Sequence, residues 1–274
     1  MGQPLRIGII GCGNISGAYL KTLPGLSAVR LVAVADIDLE RAREAADGYP
    51  GVRILSVTEL LADPDVNLVL NLTIPAAHAE VALAAIAAGK HVYGEKPLAA
   101  SASTAKVILT AAAQAGVTVG CAPDTVLGTG IQTARRAIDD GLIGRPISAS
   151  ATMVTPGHER WHPNPDLYYA PGGGPLLDMG PYYVTALLTL LGPVTSVIGA
   201  ASINTGRGIG IQDLALTAPE ELPRANGQLA FHALEIMESL LASAHSGQSV
   251  TITSSCERPA PVPLTEPIPT ASSA

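Results

Sequence analysis

Charge is scarce in this sequence. Of its 274 residues only 14% are Asp, Glu, Lys or Arg, and the balance is acidic, −7, with 16 Lys and Arg. Nucleic-acid affinity comes largely from basic stripes that neutralise phosphates, so no nucleic-acid partner is expected. Aromatic residues make up 3%, with one Trp and one Phe. Cysteine is as rare: Cys12, Cys121 and Cys256 are odd in number and far apart. Without CxxC or Cys/His spacing they argue against a disulfide scaffold and a zinc module, and no metal is expected. A reducing, cytoplasmic location fits that usage. The opening Met1–Arg6 carries no signal-peptide pattern, and position 6 lacks the Ser/Thr of a myristoylation site. Met179 to Gly206 is free of charge and long enough to span a bilayer. Gly192-Pro193 interrupts it, because proline clashes with a continuing helix. The run therefore reads as a buried helix, Pro181–Leu191, then a strand, Val194–Ile203, with no membrane partner.

What is abundant is apolar aliphatic residue. At 47% hydrophobic, general disorder is excluded, and the length suits two domains of about 150 residues or fewer. Through the first 120 residues, β-branched runs alternate with Ala/Leu-rich helical stretches. The strands are Leu5–Ile10, Arg30–Ala35, Arg53–Leu55 (weaker), Asn67–Leu72, His91–Tyr93 and Val117–Gly120. The helices are Asn14–Leu23, Leu39–Asp47, Thr58–Ala62, Ala77–Ala88 and Ser101–Ala115. Strands apolar on both faces, joined by helices, make a doubly wound parallel α/β sheet. Residues 1–123 form this domain. From 124 to 256 the pattern is that of a smaller α+β domain: a helix Gly130–Asp140, a strand Ile147–Thr155, a loop His158–Pro175, the charge-free helix and strand, a helix Leu229–Ala244 and a last strand Val250–Thr253. Residues 257–274 are a proline-rich tail, extended or disordered.

The first strand runs into Gly11-Cys12-Gly13-Asn14-Ile15-Ser16 and a helix. Gly11 permits the tight turn, Gly13 lets the backbone approach a pyrophosphate, and Ser16 is small enough for helix–strand packing. Asp36 closes the second strand at the spacing of a ribose-binding acid, which identifies a dinucleotide-binding Rossmann fold. A carboxylate there accepts the ribose hydroxyls and repels a 2′-phosphate, so NAD is expected over NADP; Asp38 reads as a helix N-cap. Cys12, at a helix start, is a candidate for a lowered thiol pKa. Two more segments end strands where open α/β sheets keep ligands: Asn71-Leu72-Thr73-Ile74-Pro75 with His78, and Glu95-Lys96-Pro97, whose proline keeps Lys96 out of helical conformation.

Five of the nine aromatic residues, Trp161, Tyr168, Tyr169, Tyr182 and Tyr183, cluster between 161 and 183, beside His158 and His162. They line a site or form a satellite core under a long loop. Asp178 and Tyr182, four apart, share a helix face. His232 and His245 read as structural.

With these segments in view, the chain resembles the Gfo/Idh/MocA family of glucose–fructose oxidoreductase, inositol dehydrogenase and their relatives. The resemblance runs from Leu5 to Val197, on the glycine loop, Asp36, Asn71–Pro75 with His78, Glu95-Lys96-Pro97, and Gly172–Gly180, which looks like the family's glycine-rich lead-in to its catalytic helix. It implies that Lys96 contacts nicotinamide and substrate, that Asp178 orients the substrate, and that the residue four later transfers the proton. That residue is commonly histidine in the family and is Tyr182 here. The family's broad antiparallel sheet is also largely missing from the second half.

The cofactor-binding set is then Gly11, Gly13, Asn14, Ile15, Asp36, Thr73, Ile74, Pro75, His78, Glu95 and Lys96. The catalytic set is Lys96, Asp178 and Tyr182, and the substrate set adds His158, Trp161 and His162. The expected activity is NAD-dependent hydride transfer with a secondary alcohol or ketone of a sugar, cyclitol or related polyol. A non-catalytic dinucleotide or sugar sensor and an NAD-dependent glycosidase stay open. A helix that has lost the sheet it packs on needs another cover, the last helix or a partner chain, so a homo-oligomer is expected.

Overall fold

The computed structural model describes residues 3–154, 174–200 and 225–262. Six strands, β1 Leu5–Ile10, β2 Val29–Ala35, β3 Arg53–Ile54, β4 Leu68–Asn71, β5 His91–Gly94 and β6 Val119–Cys121, form one sheet in the order β3-β2-β1-β4-β5-β6. The β1–β2, β1–β4, β2–β3 and β4–β5 pairings are parallel. Ile7, Ile9, Ile10, Val34 and Val69 are buried, as strands covered on both faces require. The helices α1 Ser16–Thr22, α2 Leu39–Ala46, α3 Val57–Ala62, α4 His78–Ala87 and α5 Ala102–Ala115 lie between successive strands in sequence. Strand order reverses on either side of β1, so the carboxyl ends of β1 and β4 open the crevice where such sheets bind ligands. The ladder continues into that edge: Gly11 N–H donates to Ala35 O and Leu72 N–H to Ile10 O, each 2.9 Å. At the opposite end, buried Lys90 donates to the carbonyls of Asp63 (2.7 Å) and Val66 (2.9 Å). Desolvation pulls its pKa down, against the raising charge of Asp63.

The chain divides into two compact units, one holding residues up to Ala100 with Thr104–Gly120, the other Ser101–Ser103 and Cys121–Leu264. The second contains α6 Thr129–Asp139, α7 Pro175–Leu191, α8 Gly227–Ser246, and the antiparallel pair β7 Ser196–Val197 and β8 Val250–Thr251. Helix α7 begins six residues before the expected Pro181. Proline suits the first turn, where its missing N–H costs nothing, so Pro175 starts the helix and Pro181 is carried inside it. Its apolar face, with Val184 and Leu188, is buried, and α8 covers part of it: a Cβ on Gly180 would stand 2.7 Å from Met237 Sδ. The last helix thus supplies part of that cover. Helix α7 stops at Gly192 (φ 98°), and no helix among the described residues is long and apolar enough to cross a membrane.

The strand expected at Ile147–Thr155 does not form over 147–154. Ile147 is 96% and Val154 88% exposed; a strand is held by packing on a half-buried pleated surface, and no strand among the described residues pairs with this segment. The strand expected over Val194–Ile203 shrinks to β7, its last three residues lying outside the described residues. The tail, expected to trail from residue 257, is docked at its start. Arg258 pairs with Asp139 (2.5 Å) and donates to Thr189 O (2.7 Å), Arg135 donates to Pro259 O, and Val262 N–H donates to Gln132 Oε1 (2.7 Å).

Candidate active site

The glycine turn is built for two different approaches. Gly11 has φ +99°, and a Cβ there would lie 2.6–2.7 Å from the backbone of Leu72 and Thr73, so β4 closes against it. A Cβ on Gly13 would meet nothing within 4 Å. Its smallness serves no contact among the described residues, which fits a position kept open for a ligand's phosphates. Ser16 is buried, and its hydroxyl donates to Gly13 O (2.7 Å). No side chain caps the first turn of α1, and Asn14 and Ile15 are exposed in the turn before it.

Asp36 follows the last residue of β2. One carboxylate oxygen accepts the Cys12 N–H (2.7 Å) and the other the Asp38 N–H (2.8 Å), which leaves lone pairs on both oxygens for a ribose. Asp38 caps α2 as expected, accepting the Glu40 N–H (3.1 Å). The expectation of an acidic thiol at Cys12 is overturned. Cys12 is buried, and desolvation together with the Asp36 charge pushes its pKa up to about 12. Beside the acid, Ile37 is 99% exposed, and Ile74 at the end of β4 is 62% exposed. Apolar side chains held in water at a ligand edge suit the flat face of a base. Ile37 belongs to no motif; its one signal is an isoleucine between a strand-ending acid and a helix cap.

The ends of β4 and β5 are tied together. Glu95 N–H donates to Asn71 O (3.0 Å), and the buried Asn71 side chain donates to His78 O (2.9 Å) while accepting the Thr73 hydroxyl (2.6 Å). One Glu95 carboxylate oxygen accepts the Tyr19 hydroxyl (2.8 Å) and the other the Lys96 N–H (3.1 Å). Lys96 and Pro75 lie at these strand ends as the sequence implied. His78 differs from expectation as a cofactor contact. It is 2% exposed, and its ring nitrogens face Pro97 O (Nδ1, 2.7 Å) and Thr73 O (Nε2, 3.0 Å), which leaves neither for a nucleotide.

In the second unit, Asp178 occupies the first turn of α7 and Tyr182 the next, both half-buried at the margin of the helix's buried face. His158, Trp161 and His162 lie outside the described residues. His232 is structural. Its Nε2 accepts the Val194 N–H (3.1 Å), so Nδ1 carries the proton shared with Ser254 Oγ (2.7 Å).

Residues 5–122 match the model of the Gfo/Idh/MocA oxidoreductase family's NAD-binding Rossmann fold, and residues 131–261 match the family's C-terminal domain. The 1,5-anhydro-D-fructose reductase of Ensifer adhaerens is 33% identical over 214 residues, 76% of this chain and 63% of that protein. The chain belongs to the Gfo/Idh/MocA family. It shares 39% identity over 149 residues with an inositol 2-dehydrogenase of Burkholderia multivorans, covering 52% of this chain and 44% of that one. The Gfo/Idh/MocA chain thus spans less than two thirds of the curated relatives it matches. Its fold is that of the WlbA dehydrogenase of Bordetella pertussis, solved with NADH and UDP-GlcNAcA, at a TM-score of 0.75 and 16% identity over 92% of this chain and 98% of that one.

Proposed function

We propose that this protein is an NAD-dependent oxidoreductase that moves hydride between nicotinamide and the carbinol or carbonyl carbon of a sugar, cyclitol or related polyol. One observation carries the reading: Gly13, Asp36, Ile74 and Lys96 follow the ends of four strands at the carboxyl edge of a single parallel sheet. The residues fit the cofactor. The space at Gly13 suits phosphates, the Asp36 carboxylate retains acceptor sites for ribose hydroxyls, and its charge disfavours a 2′-phosphate. Asn14, Ile15, Thr73 and Pro75 complete the edge, with Glu95 supporting the Lys96 turn. The names of the relatives, a sugar reductase and an inositol dehydrogenase, support the substrate class.

Bound NAD supplies the hydride acceptor at the carbinol carbon. The Lys96 ammonium stabilises the alkoxide charge that develops as the C–H and O–H bonds break. Asp178 accepts a hydrogen bond from a neighbouring hydroxyl and fixes which carbinol reacts. Tyr182, on the same helix face, exchanges the hydroxyl proton through its phenolate form, which a nearby cation favours. His158, Trp161 and His162 complete the substrate set.

A polyol and sugar panel with NAD and NADP, read by nicotinamide absorbance, tests the reading. NAD-linked turnover of at least one polyol is expected. Lys96→Met should lower kcat by about 10²-fold while NAD still binds, because the lost interaction belongs mainly to the transition state. NAD binding without turnover across the panel would overturn the catalytic reading in favour of a sensor.

A further inference from the structure

We propose that His78 is a positioning residue for Lys96, its buried ring tying the far side of the Lys96 turn to the end of β4. The inference rests on the catalytic reading of Lys96 given above. Lys96 is bracketed. On its amino side the Glu95 N–H is bonded to Asn71 O (3.0 Å), and on its carboxyl side Pro97 O lies 2.7 Å from His78 Nδ1. Both anchors belong to the segment running from the end of β4 into α4, and that segment is itself locked. His78 Nε2 meets Thr73 O (3.0 Å), and the Asn71 amide holds His78 O and the Thr73 hydroxyl.

The choice of residue is informative. An imidazole buried to 2% exposure loses its hydration, and a helix can start on many side chains that lose less. Here both nitrogens face carbonyls outside α4, one of them 19 residues along the chain, so whichever nitrogen carries the N–H, the ring is held between the two loops. Lys96 has no secondary structure of its own: it follows the end of β5 and precedes the first residue of α5 by six positions. A side chain that must meet a developing alkoxide needs its backbone fixed, and a displacement of about 1 Å can cost roughly 10²-fold in rate. Glu95 adds the third support, holding the Lys96 N–H on one oxygen and Tyr19 of α1 on the other.

The experiment compares His78→Phe and His78→Gln, alone and with Lys96→Met, by kcat, KM and the Kd of NAD measured calorimetrically. His78→Phe keeps the ring volume and removes both polar atoms. A fall in kcat of roughly 10-fold or more, with the Kd of NAD held within about three-fold, is expected. His78→Gln keeps a donor that reaches one carbonyl and should restore part of kcat. With Lys96 already replaced, either His78 change should lower kcat by less than about two-fold, because its effect passes through the missing ammonium. Losses that multiply in the double variants would overturn the proposal, as would full kcat in His78→Phe beside an impaired Lys96→Met. Full activity of Lys96→Met alone would instead remove the catalytic reading of Lys96, and the positioning role with it. Should His78→Phe not fold, the Gln pair is read by the same criterion.

Discussion

Replacing Gly11 and Gly13 by alanine, one at a time, separates the fold's demand from the ligand's. At Gly11 the alanine Cβ must enter a left-handed conformation (φ +99°) and sit 2.6–2.7 Å from the Leu72 and Thr73 backbone, which no side-chain rotation relieves. The conformational penalty is about 1–2 kcal/mol and overpacking adds about 1–3 kcal/mol. Gly11→Ala should therefore cost about 2–5 kcal/mol of a total stability of order 5–15 kcal/mol. At Gly13 the same methyl group meets nothing within 4 Å and needs no unusual φ, so stability should stay within about 0.5 kcal/mol. Its effect should appear only with NAD: a methyl group against the pyrophosphate costs about 1–3 kcal/mol, a roughly 5- to 150-fold rise in Kd. Urea unfolding of the ligand-free proteins and calorimetric titration with NAD give the two numbers for each variant. Wild-type NAD affinity in Gly13→Ala would refute the reasoning, because the phosphates would then lie elsewhere. Wild-type stability in Gly11→Ala would refute the account of the turn.

Asp36→Ala should narrow the gap between NAD and NADP in titration of both nucleotides. It should also lower stability, since the buried Cys12 N–H loses its acceptor at a cost of about 1–3 kcal/mol. Tyr182→Phe should lower kcat and abolish the rise in rate on the alkaline side; an unchanged pH profile at full activity would move the base to His158 or His162. Stability should decline as pH falls below about 6.5, the ordinary histidine value. Burial lowers the His232 pKa, against the raising charge of Glu235, so in that window the unfolded chain binds a proton that the folded one refuses. Urea midpoints across the window, steep in the wild type and flatter in His232→Gln, check this.

The sheet was legible because burial on both faces leaves the central strands β1, β2 and β4 few polar positions. Leu5–Ile10 is read to the residue, and His91 and Arg53 open their strands where the pattern puts them. Helix α7 starts earlier than its sequence suggests: Pro181 reads as a boundary, yet Pro175 takes the first turn and Gly180 lets α8 approach close by. Ile147–Val154 has strand propensity but no neighbour to pair with among the described residues, and propensity alone does not hold a strand. At the site, Gly11, Asp36 and Lys96 were legible because each answers a local geometric demand. The ties that hold them were not. Tyr19 to Glu95 spans 76 residues and His78 to Pro97 spans 19, and neither partner announces the other in sequence.

The proposed division of labour between Asp178 and Tyr182 follows from where each sits on α7. Asp178 is the acidic residue of the first turn, where the unsatisfied N–H groups give the helix a positive end that favours negative charge. A carboxylate at that position accepts hydrogen bonds, which suits the proposed hold on a substrate hydroxyl. Tyr182 lies one turn further along the same face, away from that end, and its phenol must borrow a positive charge to give up its proton. A double-variant cycle tests whether Lys96 supplies that charge as well as the proposed stabilisation of the alkoxide. Replacing Lys96 would then remove two contributions at once, and Tyr182→Phe should cost little more in a Lys96→Met background than the lysine change alone.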